Sequence, residues 1–296
     1  MINDNHRKRK PITKADIKRL RDSLPKRVDI GSEGTKVTKK EDAAPSAPAE
    51  TGEGVAPVLE EHLPEICVPL SAEEIHSFQV YASMLREKNK VMNLTAVDDD
   101  NGIAMKHFID SLTLCPYIRK EEEKAGKEAL SLADIGTGAG FPGLPLKISM
   151  PELQVTLMDS LAKRLGFLKE VCDALSLEGV DLVHVRAEDG GRDKKYRERF
   201  DIVTARAVAT LPVLAEYCLP FVKTGGVFLA MKGHAEDEIK GAAKAIALLG
   251  GTIEKTDTFR LPGTDMDRTI IVVRKIRPTP ARFPRKAGLP SKEPLS

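Results

Sequence analysis

Three glycines in one short stretch of the chain are spaced so that they could bind a nucleoside. The stretch Leu132–Gly143 reads LADIGTGAGFPG, and its closely spaced glycines are Gly136, Gly138 and Gly140. It follows an apolar run and opens a helix-length segment, which is where doubly wound sheets bind ligands. A dinucleotide fingerprint would need its third glycine where this chain has Phe141.

The residues after the loop disfavour phosphate binding. Phe141, Pro142 and Pro145 obstruct the helix N-terminus that would otherwise receive a pyrophosphate. The Gly-Lys-Ser/Thr ending of a P-loop is absent as well. The pattern therefore disfavours a nicotinamide-dependent oxidoreductase and favours a nucleoside without phosphates, for which S-adenosylmethionine is the common candidate.

Acidic residues follow the next two apolar runs. Asp159 lies twenty-five residues after Asp134, where a carboxylate can accept both ribose hydroxyl protons. Ala187, Glu188 and Asp189 follow the third run, and we expect them to border the adenine. Asp134 precedes the loop, where it could hold loop amides or, through water, the ammonium group of the cofactor.

The second half of the chain alternates short apolar runs with longer amphipathic segments. This alternation predicts an α/β fold, with a doubly wound and mostly parallel sheet. A Pro262-Gly263 loop, without a helix, joins the last two runs, so we expect an antiparallel hairpin at the sheet edge. The predicted strands are 130–135, 154–158, 180–185, 201–204, 226–231, 252–259 and 269–274, and helices are predicted at 163–175 and 211–222.

Composition divides the chain into four expected regions. Ser71 and Glu74 form a capping box that predicts a helix start, a loop follows at 93–95 and a second helix around 105–112. Five prolines after Arg274 argue against regular structure there. The regions are a disordered basic extension at 1–57 (with a possible short helix at 14–24), a helical cap at 58–129, a cofactor-binding domain at 130–275 and an extended basic tail at 276–296.

Charge is distributed unevenly along the chain. Residues 1–27 carry ten Lys and Arg against three Asp and Glu, and residues 274–296 carry seven against one. Since the whole chain has a net charge of +2, residues 28–273 have a net charge of 2 − 7 − 6, or −11. A mildly acidic body with basic ends suggests that the ends contact a polyanion.

The cysteines and the apolar runs exclude other classes. Cys67, Cys115, Cys172 and Cys218 contain no CxxC pair, so we expect reduced thiols that mostly pack, and no metal site. No apolar run is long enough to cross a membrane, and no apolar segment follows the basic N-terminus. We therefore expect a soluble, cytoplasmic protein.

Several blocks of the sequence together resemble the RsmG (GidB) methyltransferases. The resemblance implies a Rossmann-like class I methyltransferase that uses S-adenosylmethionine to modify guanine N7 in the 16S RNA of the small ribosomal subunit. It covers about residues 58–295, and the first 57 residues have no counterpart. The blocks are Asn93–Thr95, His107–Leu112, Asp134–Lys147, Asp159–Arg164, Ala187–Glu188, Phe200–Lys232 and Thr279–Leu295.

The resemblance also implies which residues bind the cofactor. The family places S-adenosylmethionine against Gly136 and Phe141, with Arg206 across the end of the fourth strand. Ala187 and Glu188 lie near the base in the family, and Asp159 and Gly138 match the ribose position and the loop. All of these residues are present in this chain.

Methylation of guanine N7 requires few catalytic groups from the protein. It carries a lone pair and no proton, so attack on a sulfonium methyl group needs alignment, worth about 7–11 kcal/mol, and no general base. Arg206 is the candidate to grip guanine O6 or the cofactor carboxylate, although it could instead pair with Glu188 or Asp189 for structure. The segment around Arg206 lacks the Asn/Asp-Pro-Pro-aromatic motif of exocyclic-amine methyltransferases, and Cys218 is expected to pack.

We expect 16S ribosomal RNA or the small subunit as the partner of a monomer that binds no membrane. Because the chain has no Trp and 4% aromatic residues, phosphate contacts should dominate and binding should weaken with salt. The candidate substrate residues are His107, Asn93, Lys232, Arg282, Arg285 and Lys286. For the first three there are alternative roles: His107 could be a packed histidine, Asn93 a loop cap and Lys232 a solvated lysine. The alternatives are a methyltransferase of small molecules or proteins, and a non-catalytic RNA-binding module.

Overall fold

The fold is that of a computed structural model, which describes residues 54–127, 129–206 and 208–295. Nearly all of the predicted extension at 1–57, including the possible helix at 14–24, lies outside these residues. The first described helix begins at Ala56, one residue before the expected end of that extension.

The chain segment that precedes the first strand is helical. As predicted, Ser71 and Glu74 begin a long helix with a capping box, since the Ser71 amide donates to Glu74 Oε2 and the Glu74 amide donates to Ser71 Oγ. That helix ends at Met92, and the residue after it, Asn93, caps it with a left-handed φ of 48°. The helices are α1 (Ala56–His62), α2 (Ala72–Met92), α3 (Asp100–Ile103), a π-helical turn (Ala104–Ile109), α4 (Asp110–Leu112) and α5 (Cys115–Ala125).

Seven strands form one mixed sheet in the order β3-β2-β1-β4-β5-β7-β6. The first five strands in this order are parallel, and β7 is antiparallel to both of its neighbours. This arrangement confirms the predicted doubly wound sheet with an antiparallel edge hairpin. The strands are β1 (Ser131–Ile135), β2 (Gln154–Asp159), β3 (Val180–His184), β4 (Phe200–Arg206), β5 (Val222–Lys232), β6 (Gly251–Arg260) and β7 (Asp267–Lys275).

Successive residues of the strands belong to different apolar clusters. Leu132 packs with the helices that precede the sheet, whereas Ala133 packs with a second group of helices. Because side chains alternate between the faces of a strand, the sheet is buried on both faces. The helices after β1 are α6 (Gly143–Ser149), α7 (Ala162–Ala174), α8 (Ala187–Gly190), α9 (Leu211–Cys218), α10 (Glu236–Leu248) and α11 (Leu289–Lys292).

Helix α11 lies in the segment that was predicted to have no regular structure. Pro290 stands in its first turn, where proline's missing amide hydrogen has no helical partner to lose. Prolines therefore permit this single turn, and the rest of 276–295 follows the surface without helix or strand.

Candidate functional site

A cavity of about 600 Å³ opens at the carboxyl ends of four neighbouring strands. Ile135, Asp159 and Arg206 line it from the ends of β1, β2 and β4, and Val185 follows β3. The connections leave β1 and β4 in opposite directions, and open α/β sheets bind ligands where this happens. Cavities of this size hold small organic ligands.

The glycine loop forms one wall of the cavity with its backbone. Gly136 and Gly138 have φ values of 70° and 61°, in the left-handed region that favours glycine. A Cβ on Gly138 would meet only the Gly136 carbonyl oxygen, at 4.0 Å, so the space beside it is open. A ligand can therefore approach the loop backbone closely.

Asp159 is buried at the end of β2 and holds the loop in place. Its Oδ2 accepts the Gly138 amide at 3.0 Å and Arg164 Nη1 at 3.3 Å, and its Oδ1 accepts the Leu161 amide at 2.8 Å. A carboxylate offers about four acceptor sites. These three donors leave Asp159 able to accept a further donor from a ligand in the cavity.

Asp134 supports the loop from behind rather than lining the cavity. Its Oδ2 accepts the Thr137 hydroxyl at 2.7 Å and the Gly143 amide at 3.0 Å, whereas Oδ1 is buried without a partner. Burial raises the pKa of Asp134 to about 6. Of the two roles expected for Asp134, the structure supports the loop-amide role.

The segment after β3 meets the carboxyl-terminal tail at the cavity. Ala187 and the buried Glu188 line the cavity, as does Gly288 from the tail. Gly288 donates its amide to Glu188 Oε1 at 2.9 Å. Both predicted residues therefore line the cavity, and the tail lies beside them.

Arg206 is tied to the π-helical turn. Its Nη1 donates to the Lys106 carbonyl at 2.8 Å and to Asp110 Oδ2 at 3.0 Å. Its guanidinium carbon lies 5.0 Å from the centre of the Phe141 ring. The expected structural alternative was a pair with Glu188 or Asp189; the observed partner is Asp110, which lies in the helical segment before the sheet.

His107, in the π-helical turn, lines the cavity beside Arg206, whose Nη2 lies 3.3 Å from His107 Nδ1. Its ring stacks on Phe141 with centroids 4.5 Å apart, and its Nε2 lies 2.7 Å from Thr95 Oγ1. Burial, followed by the charge of Arg206, lowers the pKa of His107 to about 4. Because π-helical turns add a residue to a helix, they re-aim side chains and are frequent at functional sites.

Two predicted substrate residues lie away from the cavity lining. Asn93 is exposed and ends helix α2 in a left-handed conformation. Lys232 donates to the Ala209 carbonyl at 2.9 Å and pairs with Glu238 at 2.9 Å. The position of Asn93 at the helix end agrees with the alternative of a loop cap, whereas Lys232 is neither at the cavity nor a solvated lysine, because its side chain is mostly buried and ion-paired.

The three basic residues of the tail are placed differently from one another. Arg282 and Lys286 are exposed, and the guanidinium of Arg282 lies over the Phe283 ring. Arg285, in contrast, pairs with the buried Glu216 at 2.7 Å. The prediction that Arg285 contacts RNA therefore conflicts with its position, because Glu216 already engages its guanidinium.

Sequence reasoning missed several residues that line the cavity. Tyr217 from α9 and Ser291 from α11 share a hydrogen bond of 2.7 Å between their hydroxyl oxygens. Arg164 and Arg186 also line the cavity. The block that contains Arg164 was noted, but no local signal places residues near 290 beside residues near 187.

The cysteines are free thiols, and Cys218 is buried away from the cavity lining. Burial raises its pKa well above the usual value, so it stays a thiol and is no nucleophile. Among the described residues, no group of His, Cys, Asp and Glu is placed to hold a metal ion. No helix within the residues that the structure describes has both the length and the apolar character to cross a membrane.

Comparison with known proteins places this arrangement in a family. The family model described as "rRNA small subunit methyltransferase G" (GidB) matches residues 74–267. A protein of that name from Acetivibrio thermocellus is 52% identical over 229 residues, which are 77% of this chain and 92% of that protein. Those from Staphylococcus carnosus and Geobacillus thermodenitrificans are 48% and 49% identical, over 80% and 79% of this chain and 97% and 96% of theirs.

A more distant similarity concerns a solved structure. A variant of a 16S rRNA (adenine(1408)-N(1))-methyltransferase from Catenulisporales acidiphilia is 16% identical, with a TM-score of 0.44 over 55% of this chain and 91% of that one. The sequence matches are far stronger and cover the glycine loop, Asp159 and Arg206 alike. The chain belongs to the rRNA small subunit methyltransferase G (GidB) family.

Proposed function

We propose that this protein transfers the methyl group of S-adenosylmethionine to N7 of a guanine in the 16S RNA of the small ribosomal subunit. The family and the names of the relatives support a small-subunit ribosomal RNA substrate. The observation that carries the proposal is the cavity at the ends of β1, β2 and β4, where an open glycine backbone faces a buried carboxylate with acceptor capacity.

The residues at this site fit a nucleoside cofactor. The space beside Gly138 would be filled by any larger side chain, and Asp159 can accept a ribose hydroxyl. Glu188 has one carboxylate oxygen bonded to Gly288 and extends the polar wall beyond Asp159. When bound, S-adenosylmethionine supplies an electrophilic methyl group on a sulfonium sulfur.

The proposed chemistry needs no general base from the chain. Guanine N7 attacks with its own lone pair, the bond from the methyl carbon to sulfur breaks, and no proton leaves N7. His107 is the histidine in the cavity lining, and its pKa of about 4 leaves it a weak base whose ring nitrogens already have partners. The work of the protein is then alignment and exclusion of water.

Arg206 is the residue that we assign to positioning. Its contacts to Lys106, Asp110 and His107 use three of its five N–H groups. The remaining two can donate to guanine O6 or to the cofactor carboxylate, and both acceptors stay compatible with an unblocked N7. Phe141 contacts both Arg206 and His107 and supplies an apolar surface beside them.

Arg282 and Lys286 are the tail residues that we assign to RNA phosphate, together with the basic stretch at 1–27. Both side chains are exposed, and neither has an acidic partner among the described residues. The assignment of Asn93 and Lys232 to the substrate stays a sequence prediction. A ribosomal substrate would place the reaction in the cytoplasm, and a monomer remains the expected state.

The test is methyl transfer by the purified full-length chain to protein-free 16S RNA and to small subunits from cells that lack the gene. We expect one 7-methylguanosine per RNA in at least one substrate, detected by mass spectrometry of nuclease digests. Asp159→Ala should abolish it, whereas Asp173→Asn, on the exposed surface of α7, should not. Methylation at another atom, or of neither substrate, would contradict the proposal.

A further inference from the structure

The carboxyl-terminal segment 279–291, which we call the strap, is fastened to the protein along its length. At its start, the Thr279 amide donates to Glu198 Oε1 at 2.7 Å. Arg197 donates to the Thr279 carbonyl at 2.7 Å and to the Phe283 carbonyl at 2.8 Å, and Arg192 donates to the Pro284 carbonyl at 2.7 Å. Backbone carbonyls held by arginine side chains fix the course of a chain that has no strand partner.

A second attachment lies just before the strap reaches the cavity. Arg285 donates from Nη2 to Glu216 Oε2 at 2.7 Å and from Nε to Oε1 at 3.0 Å. The Glu216 side chain is 1% exposed, and it also accepts the Arg285 amide at 2.7 Å. This paired geometry fixes orientation as well as distance. The strap is therefore held in one position at Arg285, three residues before its contact with the site at Gly288.

The end of the strap forms part of the cavity wall. Gly288 donates its amide to Glu188 Oε1 at 2.9 Å, and Ser291 Oγ lies 2.7 Å from the hydroxyl oxygen of Tyr217. All four residues line the cavity. Three separate parts of the chain thus meet there: the segment after β3, the end of α9 and the strap.

The strand order tells which end of a nucleoside would face this wall. Along the carboxyl edge, β2 with Asp159 stands between β3 and β1, and β4 with Arg206 lies on the far side of β1. A ribose at Asp159 therefore has one side toward Arg206 and Phe141 and the other toward Glu188 and the strap. Methyl transfer belongs to the first side, so the base belongs to the second.

We propose that the strap forms the adenine-binding wall of the cofactor site and that the Tyr217–Ser291 hydroxyl pair reads the adenine amino group. This inference rests on the proposed function and adds two specificity-determining residues to it. The two hydroxyls have two hydrogens, one of which their mutual bond uses. The pair is left with one donor and several acceptor lone pairs, and adenine presents an amino donor beside ring-nitrogen acceptors.

The test measures binding, without catalysis, of two ligands by calorimetry. They are S-adenosylhomocysteine and its analogue that lacks the 6-amino group of the base. The wild-type protein should prefer S-adenosylhomocysteine by about five- to tenfold, as one hydrogen bond to the amino group would give. In the Tyr217→Phe/Ser291→Ala double variant this preference should fall to near one.

Matched controls separate the base contact from a structural role. Lys292→Ala, next to Ser291 on the exposed side of α11, should keep the wild-type preference. Equal loss of affinity for both ligands in the double variant, or an unchanged preference, would overturn the assignment of the hydroxyl pair, as would a wild-type protein that binds both ligands equally. A wild-type protein that binds neither ligand would instead defeat the proposed function.

Discussion

The Asp110 carboxylate joins the helical segment to two strands of the sheet, to β4 through Arg206 and to β7 through Arg268. Arg206 Nη1 lies 3.0 Å from Asp110 Oδ2, and Arg268 Nε, from β7, lies 2.8 Å from Oδ1. The Asp110 side chain is 5% exposed, and both guanidinium groups are mostly buried. One carboxylate thus compensates two charges, one of them on the cavity-lining Arg206, and the position of Arg206 depends on it.

Removing the charge of Asp110 should lower the stability of the protein and disturb the position of Arg206. In Asp110→Asn, two buried guanidinium groups would share a neutral amide whose nitrogen cannot accept a hydrogen bond. We expect the free energy of unfolding to fall by about 2–4 kcal/mol, because an uncompensated buried charge is costly. Urea unfolding followed by circular dichroism measures this.

The control is Asp265→Asn, since Asp265 is fully exposed and pairs with Arg260 at 3.4 Å. An exposed pair contributes little, so the urea midpoint of this variant should match that of the wild type. Equal stability of the Asp110→Asn and wild-type proteins would show that the two arginines do not need this carboxylate.

Arg206→Ala should lose turnover and keep the fold. Asp110 would still pair with Arg268, so its charge stays compensated, whereas the donors that face the cavity disappear. We expect the methyl-transfer rate to fall at least about 100-fold, as for loss of an aligned electrostatic donor. Single-turnover rates with 16S RNA measure this, beside circular dichroism of the same preparation.

Two further variants sharpen the experiment on Arg206. Arg206→Lys keeps the charge but cannot donate to Lys106 and Asp110 as a planar fork, so it should also be slow. Arg260→Ala, an exposed arginine on β6, should react at the wild-type rate. A fast Arg206→Ala enzyme would remove Arg206 from the mechanism.

Local patterns were enough to predict the strands, the loop and the residues at the strand ends. The spacing of Gly136 and Gly138 after an apolar run, with Asp159 after the next, depends on chain order alone. The partner of Arg206 could not be found this way, because Asp110 reaches it through a π-helical turn about 100 residues earlier. Irregular helices leave no periodic signal.

The contacts of the carboxyl-terminal tail were also beyond prediction from local sequence patterns. Its basic residues predicted contact with RNA, and charge alone does not distinguish Arg285 from Arg282. The difference lies in Glu216, which apolar neighbours bury in helix α9 and which only the folded chain brings to Arg285. The cavity contacts of Gly288 and Ser291 likewise depend on long-range packing.

Two glycines of the domain should respond to alanine with opposite signs. Gly140 has a φ of 102°, and a Cβ there would lie 2.4 Å from the Tyr81 hydroxyl and 2.9 Å from Leu168. Gly166 lies inside helix α7 with no atom within 4 Å of its Cβ position. Gly140→Ala should lower the free energy of unfolding by about 2 kcal/mol or more, and Gly166→Ala should raise it by about 0.5–1 kcal/mol.

Urea unfolding of the two glycine variants and the wild type measures these changes in the free energy of unfolding. Gly166→Ala serves as the control for the method, since the same chemical change is made on an open surface. A Gly140→Ala protein as stable as the wild type would mean that Tyr81 and the loop can separate, so that the loop is not the fixed wall described above.

RNA affinity should depend on salt through Arg282 and Lys286 and not through Arg285. If both exposed residues contact phosphate, Arg282→Ala/Lys286→Ala should reduce the slope of log affinity against log salt by about 1.4 for single-stranded RNA. Filter binding over a salt series measures it. Arg285→Ala should keep the slope and lose stability, because Glu216 would stay buried without its partner; the reverse pattern would reinstate Arg285 as an RNA contact.

His107 should make the stability of the protein depend on acid pH. Its pKa falls from 6.5 to about 4 on folding, so between these values the unfolded chain binds more protons than the folded one. Stability from this group is therefore complete above about pH 6.5 and declines, by on the order of 3 kcal/mol, as pH falls to about 4. Asp134, whose pKa is raised to about 6, acts in the opposite direction over part of this range.

The comparison of wild type with His107→Gln isolates the histidine, because Asp134 is common to both proteins. Glutamine keeps a polar group near Thr95 and does not titrate. Urea unfolding at a series of pH values from 4 to 7 should show the wild type losing more stability than the variant as pH falls. Parallel curves would mean that His107 titrates alike in the folded and unfolded chains, and the buried stack on Phe141 would then have to open to water.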